Sequence, residues 1–162
     1  MRHTLFAPWR MEFIENHDAE KECVLCKIPN AKMDAENHLI FRGKYCYVIM
    51  NKFPYSHGHL MVIPFRHEKD WTELNRDELL EMNELTQKAL RVLKNELEAN
   101  GFNIGVNLGK AAGAGIEGHV HQHIVPRWIG DFNFMPLLSE TKIISEHLDQ
   151  TYKKLSSGWG KK

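Results

Sequence analysis

Three histidines stand at alternate positions in Gly118-His119-Val120-His121-Gln122-His123-Ile124-Val125-Pro126-Arg127. Imidazole changes protonation near neutral pH, so its free nitrogen can attack phosphorus or exchange a proton without a strong base. Spacing decides whether the three rings can act together. In a strand, the period of two sends His119, His121 and His123 to one face and Val120, Gln122 and Ile124 to the other. In a helix the same histidines would splay by about 200° at each step and form no site. Three polar rings on one strand face also make poor core, because each brings a nitrogen that needs a partner. Immediately upstream, Gly109-Lys110-Ala111-Ala112-Gly113-Ala114-Gly115 is a small-residue loop whose backbone N–H groups can approach an anion closely. A loop of this kind feeding a row of imidazoles points to chemistry on phosphate.

Several elements must position that row. His38 to Arg42 and Tyr45 to Met50 read as a β-hairpin about the two-residue turn Gly43-Lys44. His59 to Ile63 reads as a third strand, stopped by Pro64. A helix is expected from Arg76 to Ala99, capped by Asn75 with Glu78 as the returning partner. Met82, Leu85, Ala89, Leu93 and Leu97 form its buried stripe, and Asn100-Gly101 ends it. Phe102 to Leu108 is a fourth strand and the histidine run a fifth. A last short helix is expected from Ser145 to Leu155, with Leu148, Tyr152 and Leu155 facing inward. Leu5 to Glu15 reads as a ribbon laid on a surface, and Val24, Leu25 and Ile28 as apolar neighbours packed against the first strands. The pattern is that of one α+β domain, residues 1–162, built on an antiparallel sheet.

Composition narrows the partners. Lys plus Arg equals Asp plus Glu, at 21 each, so no overall charge draws the chain to nucleic acid or to a membrane surface. No apolar run is long enough to span a bilayer, and Met1 to Phe6 is too short for a secretory signal, so the cytoplasm is expected. Three cysteines, two of them spaced Cys23-x-x-Cys26, suit a reducing compartment better than a disulfide scaffold. Taken alone the pair is compatible with zinc, redox use or chance. It lacks the βαβ setting of a thioredoxin-like motif, and a closed zinc site needs two further ligands that spacing cannot pick from ten histidines. Cys46 reads as core; His3, His17, His38, His57 and His147 read as surface or packing residues.

The run His119-Val-His121-Gln-His123-Ile-Val resembles the signature of the histidine triad family of nucleotidyl hydrolases and transferases. The resemblance extends through Gly58-His59-Leu-Met-Val-Ile-Pro64, Asn107-x-Gly109, the glycine loop and Pro126-Arg127, covering about residues 20 to 130. Gln122 stands where many members carry an apolar residue, on the face turned away from the histidines. Phe6-Ala-Pro-Trp-Arg10 and the stretch from Pro126 to Pro136 look like the bacterial branch that contains diadenosine tetraphosphate phosphorylases.

The resemblance implies a five-stranded antiparallel half-barrel with one long helix and a short C-terminal helix, two subunits joining into one ten-stranded sheet. It implies that His121 is the nucleophile, forming a nucleotidyl-histidine at the α-phosphate, with its other nitrogen held by the backbone carbonyl of His119. His123 and His59 would contact the phosphate or the leaving oxygen. Asn107 and the backbone from Gly113 through Gly115 to Ile116 would hold the non-bridging oxygens. Asn51 maps to the position that binds ribose hydroxyls, and Leu25, Ile28 and Ile49 to the base pocket. Members carrying the cysteine pair complete a structural zinc site with the histidine of Pro-x-x-His and the first triad histidine, here His67 and His119. No organic cofactor is implied. Trp159, near the end of the chain, falls where some relatives send a C-terminal residue into a neighbouring active site.

The substrate class implied is a dinucleoside polyphosphate, cleaved with phosphate or with water as acceptor. The alternatives are hydrolysis of adenosine phosphoramidates or aminoacyl adenylates, and nucleotide binding without turnover. A different reading makes the three alternating histidines ligands of a catalytic metal, but no carboxylate follows His123 closely and the anion loop would be superfluous.

Overall fold

Short runs rich in apolar residues build five strands among the described residues: β1 (Leu39–Arg42), β2 (Cys46–Met50), β3 (Leu60–Pro64), β4 (Gly101–Val106) and β5 (Gln122–Arg127), with β2 and β3 buried throughout. They form one sheet in the order β1-β2-β3-β5-β4, with every neighbouring pair antiparallel. Among the described residues three α-helices accompany it: α1 (Val24–Asn30), α2 (Arg76–Leu97) and α3 (Leu148–Trp159). The architecture is the α+β one expected. The structure, a computed structural model, describes residues 22–131, 144 and 146–161. The ribbon expected over Leu5 to Glu15, His3, His17, Ser145 and the flanking stretches 6–10 and 132–136 lie outside the described residues. Among the described residues no helix is long and apolar enough to cross a membrane.

The period of two gives the sheet two unlike faces. Cys46, Val48, Met50, Leu60, Val62 and Ile124 pack against Met82, Leu85, Ala89, Val92 and Leu93 of α2 and against Leu155 and Trp159 of α3. Tyr47, Ile49, Met61 and Ile63 point the other way, into a smaller cluster with Leu39 and with Leu25 of α1. Among the described residues no long helix lies over the second face. It is the face that carries the histidines.

α2 starts at the expected cap. The Asn75 side chain accepts from the Glu78 N–H at 3.0 Å, and the Glu78 carboxylate accepts from the Asn75 N–H at 2.9 Å. Arg66 adds two bonds of 2.8 Å to the same carboxylate, which ties the turn after β3 to the helix start and holds the Glu78 carboxyl below its usual range. The helix end differs from expectation. Glu98, not a glycine, takes the left-handed conformation at φ 53°, while Asn100 donates to Arg127 O at 2.9 Å and Gly101 opens β4. Pairing with β5 claims these residues before they can cap the helix.

The β1–β2 connection also differs. The register pairs Arg42 with Tyr47 and the Gly43 N–H donates to Cys46 O at 2.8 Å, so the two central turn residues are Lys44-Tyr45 rather than Gly43-Lys44. The loop is closed by the Glu81 carboxylate of α2, which accepts from the N–H groups of Lys44, Tyr45 and Cys46 at 2.8, 2.6 and 2.6 Å. Glycine at 43 answers to this close approach, since a Cβ there would lie 2.7 Å from Glu81 Oε1.

Val24, Leu25 and Ile28, expected only as packed apolar neighbours, lie in α1, a helix that contains Pro29. The missing N–H of Pro29 leaves the Leu25 carbonyl without its helical donor. The buried Tyr47 hydroxyl takes that place, donating to Leu25 O at 2.7 Å. α3 begins at Leu148, three residues after its expected start at Ser145, and runs past the expected Leu155 to Trp159, which is 3 % exposed and packs on Phe41 at 5.6 Å. Trp159 is therefore a core residue of its own chain and not one that reaches a neighbour's site.

Replacing Glu81 by Ala should lower the urea midpoint without changing the slope, at a cost of about 2–3 kcal/mol for a charged acceptor lost by three backbone donors. Urea denaturation followed by far-ultraviolet circular dichroism measures it. A change within experimental error would show that water replaces the carboxylate at no cost.

Candidate active site

His123 lies in β5 opposite Met61 of β3, while His121 immediately precedes β5 and His59 immediately precedes β3. The strand is thus shorter at its start than the three-histidine run, yet the alternation persists. Val120 and Ile124 sit in the core under α2, and the Gln122 amide donates to Thr86 Oγ1 of α2 at 2.8 Å. His121 and His123 meet edge to face at 4.8 Å between ring centroids, and His123 lies 5.1 Å from His59. All three are nearly buried, at 5, 7 and 1 % exposure.

The hydrogen bonds assign a tautomer to each ring. His121 donates Nδ1–H to the carbonyl of His119 at 2.8 Å, which leaves Nε2 with its lone pair. His59 Nδ1 receives the N–H of Tyr55 at 3.1 Å and therefore accepts. Its proton is on Nε2, which donates to His123 Nδ1 at 3.0 Å. His123 then carries its own proton on Nε2. That nitrogen is buried and has no hydrogen-bond partner among the described residues. The chain Tyr55–His59–His123 thus ends in an N–H donor beside the lone pair of His121. Burial, reinforced by the neighbouring imidazoles, pushes His59 down to about 3 and His123 down to about 4. Burial lowers His121 as well, against the opposing effect of the His119 carbonyl. The site is a cluster of neutral rings at pH 7.

The first triad histidine has another assignment. His119 is fully buried; its Nε2–H donates to Pro64 O at 2.9 Å and its Nδ1 faces Cys23 and Cys26 Sγ, both at 3.4 Å. His67 Nδ1 lies 3.3 Å from Cys26 Sγ. The four ligand atoms of Cys23, Cys26, His67 and His119 all fall within 4.8 Å of one another. Zinc–sulfur and zinc–nitrogen bonds of about 2.3 and 2.0–2.1 Å imply sulfur–nitrogen edges of roughly 3.6 Å in a tetrahedron, close to the spacings observed. Burial, then the adjacent Cys23, pushes the Cys26 thiol up to about 11, so the two sulfurs share a thiolate-rich position only if a cation joins them. The residues fit a metal. Among the described residues this is the one such grouping, and the three triad rings do not converge on a common point, which removes the reading of His119, His121 and His123 as a catalytic metal centre.

Asn107 follows β4 one step beyond the Val106–Gln122 pair, across from His121, and its side chain has no hydrogen-bond partner among the described residues. In the glycine loop a 3₁₀ turn, Lys110–Ala112, ends at Gly113 with φ 80°. The Gly113 N–H donates to Lys110 O at 2.9 Å, so Gly113 supplies the turn rather than a free amide. Gly115 and Ile116 follow, with Ile116 packed against the smaller cluster. Asn51 accepts from the Phe53 N–H at 2.9 Å, and its amide nitrogen lies 3.4 Å from His59 Nδ1. Leu25 and Ile49 are buried, and Ile28 packs against them. Sequence reasoning passed over Tyr55, whose ring lies 4.7 Å from that of His59; its one signal was an aromatic four residues before a site histidine. His38 and His57 are not bare surface residues either: they face Asp149 at 2.7 Å and Glu146 at 3.7 Å.

The HIT domain model matches residues 32–128. The AP-4-A phosphorylase of Mycobacterium tuberculosis is 37 % identical over 97 % of this chain and 84 % of its own length. A bis(5′-nucleosyl)-tetraphosphatase (asymmetrical) of Schizosaccharomyces pombe is 29 % identical over 78 % of this chain and 66 % of its own. Among solved structures, a zinc-bound histidine triad family protein from Mycobacterium smegmatis superposes with a TM-score of 0.70 at 28 % identity, covering 85 % of this chain and 93 % of that one.

Both depressed histidines make stability pH-dependent. Between their native values and the unfolded value near 6.5, the unfolded chain binds protons that the native chain does not. Stability is therefore full above about pH 6.5 and declines as pH falls toward 4. Calorimetric melting between pH 7 and 4.5 should show that decline, with the His59 and His123 resonances still those of neutral imidazole at pH 5; cationic rings at pH 5 would contradict it.

Proposed function

Because the chain belongs to the HIT-domain family, we propose that it is an enzyme that cleaves dinucleoside polyphosphates by nucleotidyl transfer through His121. The observation that carries this reading is the fixed orientation of His121. Its Nδ1–H is bonded to the His119 carbonyl, so its Nε2 lone pair is the one nucleophilic nitrogen not spent within the cluster. The substrate class is supported by the relatives named as an AP-4-A phosphorylase and a tetraphosphatase.

Attack of His121 Nε2 on the α-phosphorus forms an N–P bond and breaks the bond to the bridging oxygen. The positive charge that develops on the ring is opposed by the His119 carbonyl. His123 Nε2–H faces the departing oxygen and hydrogen-bonds it as its negative charge develops, while His59 Nε2–H stays bonded to His123 Nδ1 and keeps that donor in place. Asn107 and the amides of Gly115 and Ile116 hold the non-bridging oxygens; Asn51 meets the ribose; Leu25, Ile28 and Ile49 wall the base. In the second half-reaction, phosphate or water attacks the same phosphorus on the nucleotidyl-histidine and His121 returns to neutral. With diadenosine tetraphosphate, phosphate as acceptor gives ATP and ADP, and water gives ATP and AMP.

Cys23, Cys26, His67 and His119 hold a structural zinc in this reading, supported by their spacing and by the zinc-bound relative. When bound, the ion supplies a closed four-ligand anchor and no open position for a reactant. The chain acts as one domain, its core flanked by terminal extensions, and pairs with a second copy. The open edge of β4, with Ile104 and Leu108 about half exposed, supports that pairing. Balanced charge and free thiols support a cytoplasmic protein without a nucleic-acid or membrane partner.

Product analysis with diadenosine tetraphosphate, with and without inorganic phosphate, tests the reaction. Phosphate-dependent ATP plus ADP identifies a phosphorylase and phosphate-independent ATP plus AMP a hydrolase. His121→Ala should lose at least about 10³-fold in rate, a nucleophile's share. Turnover unchanged in the mutant would leave a nucleotide-binding role without this chemistry. Elemental analysis of the purified protein should give one zinc per chain, lost in Cys26→Ser; no zinc in the wild type would contradict the metal assignment.

A further inference from the structure

Tyr55 is the residue at the site that the chemistry above does not use. It lies in the loop between β2 and β3 and is 52 % exposed. Neither apolar cluster includes it. Instead its ring lies 4.7 Å from His59 and 5.5 Å from His123 between centroids, tilted by 42° and 34°. Its main-chain N–H is also the donor that fixes His59 Nδ1 as an acceptor. One residue therefore sets the first bond of the Tyr55–His59–His123 chain and leans its ring on both imidazoles that follow.

The physical need for such a ring follows from the chain's geometry. A neutral imidazole can turn over or exchange its proton between nitrogens whenever water reaches either one. The direction of this chain survives only while His59 and His123 are held at 3.0 Å with no competing donor. Neighbouring strands hold them from the sheet side, and Tyr55 closes the side that faces the loop.

We propose that Tyr55 is a positioning residue for departure of the leaving group, holding His59 and His123 so that His123 presents Nε2–H to the leaving oxygen. The inference rests on the nucleotidyl-transfer reading. It assigns Tyr55 no contact with the reacting atoms. Its loss should therefore slow reactions in proportion to how much the leaving oxygen needs a proton.

Aryl esters of AMP test this. The phenolate of a phenyl ester has a basicity near pKa 10 and needs the proton, as the tyrosine side chain itself would. The 4-nitrophenyl ester releases a much weaker base. Tyr55→Ala should cut single-turnover kcat for the phenyl ester roughly tenfold or more beyond its effect on the 4-nitrophenyl ester, within the usual range for general-acid assistance. Tyr55→Phe should restore the wild-type ratio, and Tyr55→Leu, which keeps bulk but not the flat ring, should restore it only in part. Equal losses on both esters, no loss on either, or a change confined to KM would each overturn the proposal, the last pointing to base stacking instead. The nucleotidyl-transfer reading fails separately: if the wild type turns over neither the esters nor diadenosine tetraphosphate, or if His121→Ala does so as well as the wild type, both fall. Turnover that requires His121 with an unchanged ester ratio in Tyr55→Ala removes only the role of Tyr55.

Discussion

One peptide carbonyl organises the site. His119 O accepts from His121 Nδ1 at 2.8 Å and so decides which nitrogen of the proposed nucleophile is free. That carbonyl is fixed because every other polar group of the residue's ring is committed: Nε2–H to Pro64 O, Nδ1 to the two thiols. The next N–H, that of Val120, donates to Glu68 O. The peptide between them cannot rotate without breaking contacts to β3, to the turn that follows it and to α1. A first histidine that looks redundant in a row of three is thus the one that gives the second its orientation.

The same economy explains how the sheet can bury imidazoles at all. A buried polar ring without partners is costly, and a charged one more so. Here every ring N–H of His59, His121 and His123 but one is satisfied by a backbone group or by another ring, and burial keeps the His59–His123 pair neutral. The exception is His123 Nε2, an unsatisfied donor at the place where the leaving oxygen is proposed to stand. An unsatisfied group that survives in a well-bonded cluster is best explained by a ligand that completes it.

Much of this was legible in the sequence because it depends on period. Strict alternation put Val120, Gln122 and Ile124 on one face and the histidines on the other, and that held even where His119 and His121 precede the strand, the first face being the one α2 covers. The α2 cap was legible because the Asn75–Glu78 box is local. What sequence could not give were bonds between distant residues. The Glu81 carboxylate closes a hairpin loop on residues 35 to 37 positions away, and nothing near Gly43 announces it. Tyr47 repairs a helix at Leu25 that Pro29 alone argues against. Tyr55 is unreadable for the same reason: its partners are set by the pairing of β3 with β5.

That long-range dependence bears on how the domain holds its chemistry. The family match begins at residue 32, yet two of the four grouped ligands, Cys23 and Cys26, lie before it. α1 presents them only because the Tyr47 hydroxyl satisfies the carbonyl that Pro29 leaves open, and Tyr47 is anchored in β2 within the matched region. The support therefore runs in both directions. The sheet builds the short helix, and the helix brings sulfur to the ring of His119, whose carbonyl aims His121. A seven-residue helix is too short to persist in water by itself, so the thiols reach His119 only after the sheet has formed. The orientation of His121 by the His119 carbonyl is then a late consequence of folding, available only in the completed domain.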